Sequence, residues 1–261
     1  MHPLFEDGEL SKFAAIGFDI TERKRNETLK TDFVALVGHE LRTPLTVVSG
    51  ALDAMAEGMG GEMPPIGHEL IDMGRRNCAR LRKLIEDLLD VNRIETGVVV
   101  YQTQGLDLHP LVSRTVQEFA SDAEQAGLEL CMQLLALDVE VFADPNRVEQ
   151  VLANLVSNAI KFSPPGRRVQ ISSQIHTDYL RISVRDQGSG ISDEFSPRVF
   201  EKFSRAPEVL ASGKEGFGLG LSISRALVES MDGRIGFESS LGEGSCFWFE
   251  LPLFKRTARV P

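Results

Sequence analysis

The 261-residue chain is 42% hydrophobic and 25% charged, ordinary for a soluble globular protein with room for two modest domains. Its formal net charge of −10 argues against nucleic acid as a partner, because such binders carry a basic balance. The three cysteines, Cys78, Cys131 and Cys246, lack metal-ligand spacing, and their odd number suits a reducing cytosol.

No apolar run approaches the ~18 residues that span a bilayer, so no membrane segment is expected in this chain. Cys78 and Cys246 read as buried free thiols. The local basic cluster of Arg75, Arg76, Arg80, Arg82 and Lys83 reads as a solvated helix face.

In chain order, residues 1–25 carry alternating apolar positions around the turn signal Glu6-Asp7-Gly8, which predicts a hairpin too short to stand alone. Residues 27–58 predict a long helix. Val34, Val37, Leu41, Pro44, Leu45, Val48, Leu52 and Met55 gather into one apolar arc at ~100° per residue. His39 falls on the opposite side, among Asp32, Arg42, Thr43 and Thr46. A histidine there is either an approachable reactive group or a plain solvated side chain.

Gly58 to Pro65 breaks the helix, and a second helix is predicted from about Ile66 to Ile94. Within it Leu70, Gly74, Asn77, Leu81, Leu84, Leu88 and Val91 form a heptad seam interrupted at Gly74 and Asn77. One hairpin cannot bury the apolar stripes of both helices, so a homodimeric four-helix bundle is expected. From Val98 the texture changes. Helices are predicted near 108–126, 146–162 and 219–231, and strands near 127–134, 168–175, 179–185, 234–239 and 245–251. This pattern indicates a two-layer α/β sandwich.

Several motifs carry chemistry. Asn154, Asn158 and Lys161 lie four and three apart on one helix face, and two amides with an ammonium suit a polyphosphate and its metal. Asp186-Gln-Gly188-Ser-Gly190 follows a strand; the carboxylate can accept from an exocyclic amine, and the glycines let backbone approach a base. Gly216, Gly218 and Gly220 precede a helix starting near Leu221, so its N–H groups are aimed at phosphate oxygens. Phe200-Glu-Lys-Phe203 precedes a long polar stretch suited to a mobile lid, with Phe200 and Phe203 anchoring one end.

His39-Glu40-Leu41-Arg42-Thr43-Pro44 resembles the phospho-acceptor box of sensor histidine kinases. The blocks at 154–162, 186–191, 200–203 and 216–221 resemble that family's nucleotide-binding boxes in the family's order. The resemblance covers roughly residues 27–253. Phe18 to Arg25 resembles the closing strand and exit linker of PAS sensor domains.

The resemblance implies four segments: a PAS remnant at 1–25, a dimerisation and histidine phosphotransfer domain at 26–97, an ATP-binding domain at 98–253 and a tail at 254–261. It implies a helical hairpin in a dimeric bundle followed by the α/β sandwich. ATP and Mg²⁺ are the expected cofactors. Asn158 would bind the metal, Asn154 and Lys161 would face phosphates, Phe162 would pack near adenine, and Asp186 would read its amine. Gly188, Gly190, Gly216, Gly218, Gly220 and Leu221 would complete the pocket.

His39 would accept the γ-phosphoryl group, Glu40 would hold its other ring nitrogen, and an aspartate of a response-regulator receiver domain would take the phosphate onward. Thr43 would serve a reverse, phosphatase activity. The family often has threonine or serine where this chain has Phe217, so one hydroxyl contact is absent. A cytoplasmic location is expected, with any membrane attachment lying in upstream regions. Type II topoisomerase subunits and MutL-like proteins share the nucleotide fold but lack the acceptor histidine. The alternative from another class is a degenerate ATP-binding dimeric scaffold or signal relay.

Overall fold

The computed structural model describes residues 2–6, 9–14, 41–59, 61, 63–96, 101–134, 139–207 and 216–254. They fall into two compact units, residues 1–78 and 79–261. His39, Glu40 and the PAS-like segment 18–25 lie outside the described residues.

The first unit opens with β1 (His2–Glu6) and β2 (Glu9–Ala14), paired antiparallel with Glu6 opposite Glu9. This is the hairpin that the turn signal predicts. Helix α1 covers residues 41–56, and α2 (Pro65–Glu95) starts on a proline, whose missing N–H is no loss at a first helical position. On α1, Leu45, Ser49, Leu52 and Ala56 form a half-buried stripe, whereas Leu41, Val48 and Met55, spaced seven apart, stay exposed. Gly74 explains its own interruption of the seam. A Cβ there would stand 2.9 Å from Leu52 Cδ1, so glycine makes the notch that admits α1. Arg75 Nε to Asp53 Oδ1, at 2.7 Å, ties the same hairpin together.

In the second unit, β4 (Glu129–Gln133), β6 (Arg168–His176), β7 (Tyr179–Arg185), β9 (Gly244–Pro252) and β8 (Arg234–Ser240) make a five-stranded sheet in the spatial order β4-β6-β7-β9-β8. The register places Ile171 opposite Val184, Ile182 opposite Phe249 and Leu180 opposite Leu251, so one face is continuously apolar. Helices α3 (Leu108–Glu118), α5 (Pro145–Phe162) and α6 (Gly220–Glu229) supply the other layer. Val148, Val151, Leu152, Leu155, Leu227 and Val228 join the sheet residues in one buried core. The opposite sheet face is polar. There Arg181 bonds Glu250 and lies 4.0 Å above the Trp248 ring.

Three predicted features shift. The helix foreseen over 108–126 divides at Phe119 into α3 and α4 (Ala120–Gln125), because Phe119 leaves helical geometry as its ring packs against the core. Short β3 (Gln104–Leu106) pairs with β5 (Val141–Ala143), where three residues are too few to show alternation. The α2 seam divides as well. Leu84 and Val91 pack on the second unit's core, while Leu70, Leu81 and Leu88 remain 59%, 50% and 39% exposed.

Candidate functional site

Asp144 opens α5 by accepting from the N–H groups of Asn146 and Arg147, with Pro145 fixing the first turn. That start sets the helical phase, which buries Val148, Val151, Leu155 and Ala159 and turns Asn154, Asn158 and Lys161 to the other side. Asn154 Nδ2 donates to the buried Ser224 hydroxyl of α6 at 2.9 Å, fixing which amide atom faces the cleft. Asn158 Nδ2 reaches Asn154 Oδ1 at 3.5 Å.

The glycine-rich segment lies against this face. A Cβ on Gly216 would stand 3.0 Å from Lys161 Nζ, and one on Gly220 would collide with the Asn154 amide. At Gly218 a Cβ would lie 2.6 Å from the Ser204 carbonyl, and φ is +72°, so only glycine suits the crossing. Helix α6 begins at Gly220 without a side-chain cap bond, which leaves its first N–H groups open to an anion.

The far end of the cleft is built on Asp186, at the end of β7. The residue is buried, and its Oδ1 accepts from Gly188 N at 2.8 Å and Ser245 N at 3.1 Å. Burial pushes its carboxyl above the usual carboxylate range, and the two N–H donors oppose that rise. Gly188 passes so near the end of α5 that a Cβ would meet the Phe162 carbonyl at 2.6 Å. Lys161 Nζ lies 4.9 Å from the Phe162 ring centroid. Gly190 fits against the Ser240 carbonyl, and Leu221 packs on the core. Asp186, Gly188 and Phe162 thus form one end of the cleft, and the polar face of α5 with Gly216 to Gly220 forms the other.

Phe200 sits beside Phe237 at 5.9 Å and anchors its segment. Phe203 does not act through its ring, which is 63% exposed at a φ of +59°. Its N–H instead donates to Gly218 O at 2.9 Å, so backbone makes the anchor. Phe217 packs against the core with the Arg80 guanidinium of α2 5.3 Å from its ring; the five residues of the basic cluster are all exposed, as a solvated face requires. Thr43 is exposed on α1, four residues beyond the undescribed His39.

Sequence reasoning missed Ser204, Ser224 and Ser245. Ser224 and Ser245 bond residues 70 and 59 positions away, the Ser204 backbone crosses Gly218, and a lone serine carries no pattern. Among the described residues no three His, Cys, Asp or Glu side chains stand together as a metal cage. No described helix is long and apolar enough to cross a membrane.

This arrangement defines a nucleotide-binding ATPase fold, and residues 143–255 match the family of histidine kinase-, DNA gyrase B- and HSP90-like ATPases. Residues 29–97 match the His Kinase A phospho-acceptor domain. With the two domains in this order, the chain belongs to the sensor histidine kinases of two-component systems. It is 32% identical over 249 residues to sensor histidine kinase WalK of Bacillus subtilis (strain 168), covering 95% of this chain and 40% of that protein. It is 35% identical to sensor histidine kinase GacS of Pseudomonas protegens, covering 92% of this chain and 27% of that one. The chain therefore spans less than half the length of these relatives.

Among solved structures, full-length ShkA in complex with AMPPNP superposes with a TM-score of 0.73 at 26% identity, covering 88% of this chain and 47% of that one. The Acinetobacter baumannii histidine kinase AdeS gives 0.59 at 25% identity, covering 83% and 98%.

Proposed function

We propose that this chain autophosphorylates His39 from ATP and passes the phosphoryl group to an aspartate of a response-regulator receiver domain. The observation that carries the reading is the cleft in which Lys161 and Asn154 face Gly216 and Gly220, with Asn158 bonded to Asn154 and buried Asp186 at one end. The phospho-acceptor match over 29–97 supports His39 as the target, and the AMPPNP carried by the structurally similar ShkA supports the nucleotide.

In this scheme a ring nitrogen of His39 attacks the γ-phosphorus, the N–P bond forms, and the bond to the β-phosphate oxygen breaks to release ADP. Such transfers depend on positioning and charge neutralisation. Lys161 and the open start of α6 hold phosphates, Asp186 takes the adenine amine, and Phe162 packs beside the base. Glu40 holds the other nitrogen of His39, and Thr43 orients water for regulator dephosphorylation.

Asn158 suits Mg²⁺, because a neutral amide oxygen can complete a shell made of phosphate oxygens and water. The exposed Leu41, Val48 and Met55 of α1, with Leu70, Leu81 and Leu88 of α2, suit a homodimeric bundle. The division into 1–25, 26–97, 98–253 and 254–261 is part of the same proposal.

The test is incubation with γ-labelled ATP and Mg²⁺ beside His39→Gln. Acid-labile, alkali-stable label on the parent alone is expected. Label on both chains would move the acceptor elsewhere, and nucleotide binding with label on neither would favour the scaffold reading.

A further inference from the structure

Ser204 presents a hydroxyl that is shut away from solvent and makes no hydrogen bond among the described residues. Buried hydroxyls are rarely left so, because removal from water is unfavourable unless a partner replaces it. Its position is more telling than its isolation. The Ser204 backbone crosses Gly218 closely enough that a Cβ there would lie 2.6 Å from its carbonyl oxygen and 2.9 Å from its nitrogen. The preceding residue, Phe203, donates its N–H to Gly218 O at 2.9 Å. Ser204 is thereby fixed to the middle of the glycine-rich segment, whose flanking glycines press on Lys161 and Asn154. That segment itself has no hydroxyl: Phe217 stands between Gly216 and Gly218, its ring turned to the core and to Arg80.

We propose that Ser204 donates its hydroxyl hydrogen bond to the phosphate chain of the bound nucleotide, supplying from outside the glycine-rich segment the contact that Phe217 cannot make. The assignment rests on the cleft being the nucleotide site. The hydroxyl, unpartnered among the described residues, gains an acceptor when phosphate oxygens enter beside Gly218. Ser204 thus discriminates between nucleotides and nucleosides, since only the former bring it an acceptor.

The test compares the full chain with Ser204→Ala and Ser204→Thr by calorimetric titration with Mg²⁺–AMPPNP and with adenosine, and by thermal unfolding without ligand. Ser204→Ala is expected to weaken AMPPNP about tenfold, the value of one hydrogen bond to a charged acceptor. Adenosine binding should stay unchanged, the ligand-free melting temperature should hold or rise, and threonine should restore AMPPNP affinity. Unchanged AMPPNP affinity in Ser204→Ala would overturn the proposal and leave the nucleotide site standing. So would equal weakening of adenosine, or a lowered ligand-free melting temperature, either of which would make the hydroxyl structural. Failure of the parent chain to bind AMPPNP would remove the site and the proposal together.

Discussion

Replacing Asp186 with asparagine separates the structural from the recognition role of one buried carboxylate. Both N–H groups that it accepts, from Gly188 and Ser245, go to the same oxygen, Oδ1. An asparagine oriented with its carbonyl in that place keeps both bonds and loses only a charge that burial disfavours. The sign of the pH dependence follows from the raised folded pKa. A carboxyl held above its ordinary value of 3.8 contributes stability that is complete below that value and is lost as pH rises through the raised one. The variant has no such loss, so near neutrality its ligand-free stability should match or exceed the parent's.

Recognition should respond in the opposite sense. The oxygen that would face the adenine amine becomes an NH₂ group, donor against donor. Losing a hydrogen bond to a charged group costs about 1.5–3 kcal/mol, or roughly ten- to two-hundred-fold in affinity. Chemical denaturation at several pH values, with calorimetric titration of Mg²⁺–ATP, measures both quantities. A variant that is less stable without ligand yet binds ATP as the parent does would refute the reasoning, because it would make Asp186 a structural residue alone.

Gly220→Ala should fold, since alanine favours helix by about 1 kcal/mol over glycine. Its Cβ, 3.0 Å from Asn154 Cγ, must displace the amide that bonds Ser224, and ATP affinity should fall about tenfold or more by titration. Leu81→Asp with Leu88→Asp should abolish the homodimer in light scattering at micromolar concentrations. Four leucines leave the interface of a dimer, at about 1.5–3 kcal/mol each. ATP binding should persist, because neither side chain belongs to the cleft.

Much of the architecture was legible because burial writes a period into sequence. The alternation in β7 and the apolar phase of α5 locate both elements to within a residue or two. Polar residues at spacings of four and three mark a helix face, so Asn154, Asn158 and Lys161 could be placed on one side of α5 before any coordinates. What escaped depends on contacts between distant segments. The pairing of Gln104–Leu106 with Val141–Ala143 leaves no alternation in three residues. The seam on α2 looks like one surface in the sequence because heptad spacing records that a leucine is apolar, not which neighbour covers it. Phe203 anchors its segment through its backbone N–H, which no side-chain pattern reveals, and Ser204 carries no signal in the sequence. His39 and Glu40 stand on sequence and family alone, outside the described residues.

The bonds at Asp186 have a consequence for how a ligand is ordered. Its backbone N–H donates to Ser245 O at 2.8 Å while its side chain receives Ser245 N, so the group proposed to read the base is welded into neighbouring strands. In the proposed binding mode the nucleoside end of the cleft is therefore preorganised, and occupancy there freezes little conformational entropy. The phosphate end rests on glycines, whose backbone has the most freedom to lose. Binding free energy gained at the rigid end is thus available to order the loose one, and the entropy of closure is concentrated where the phosphoryl group departs.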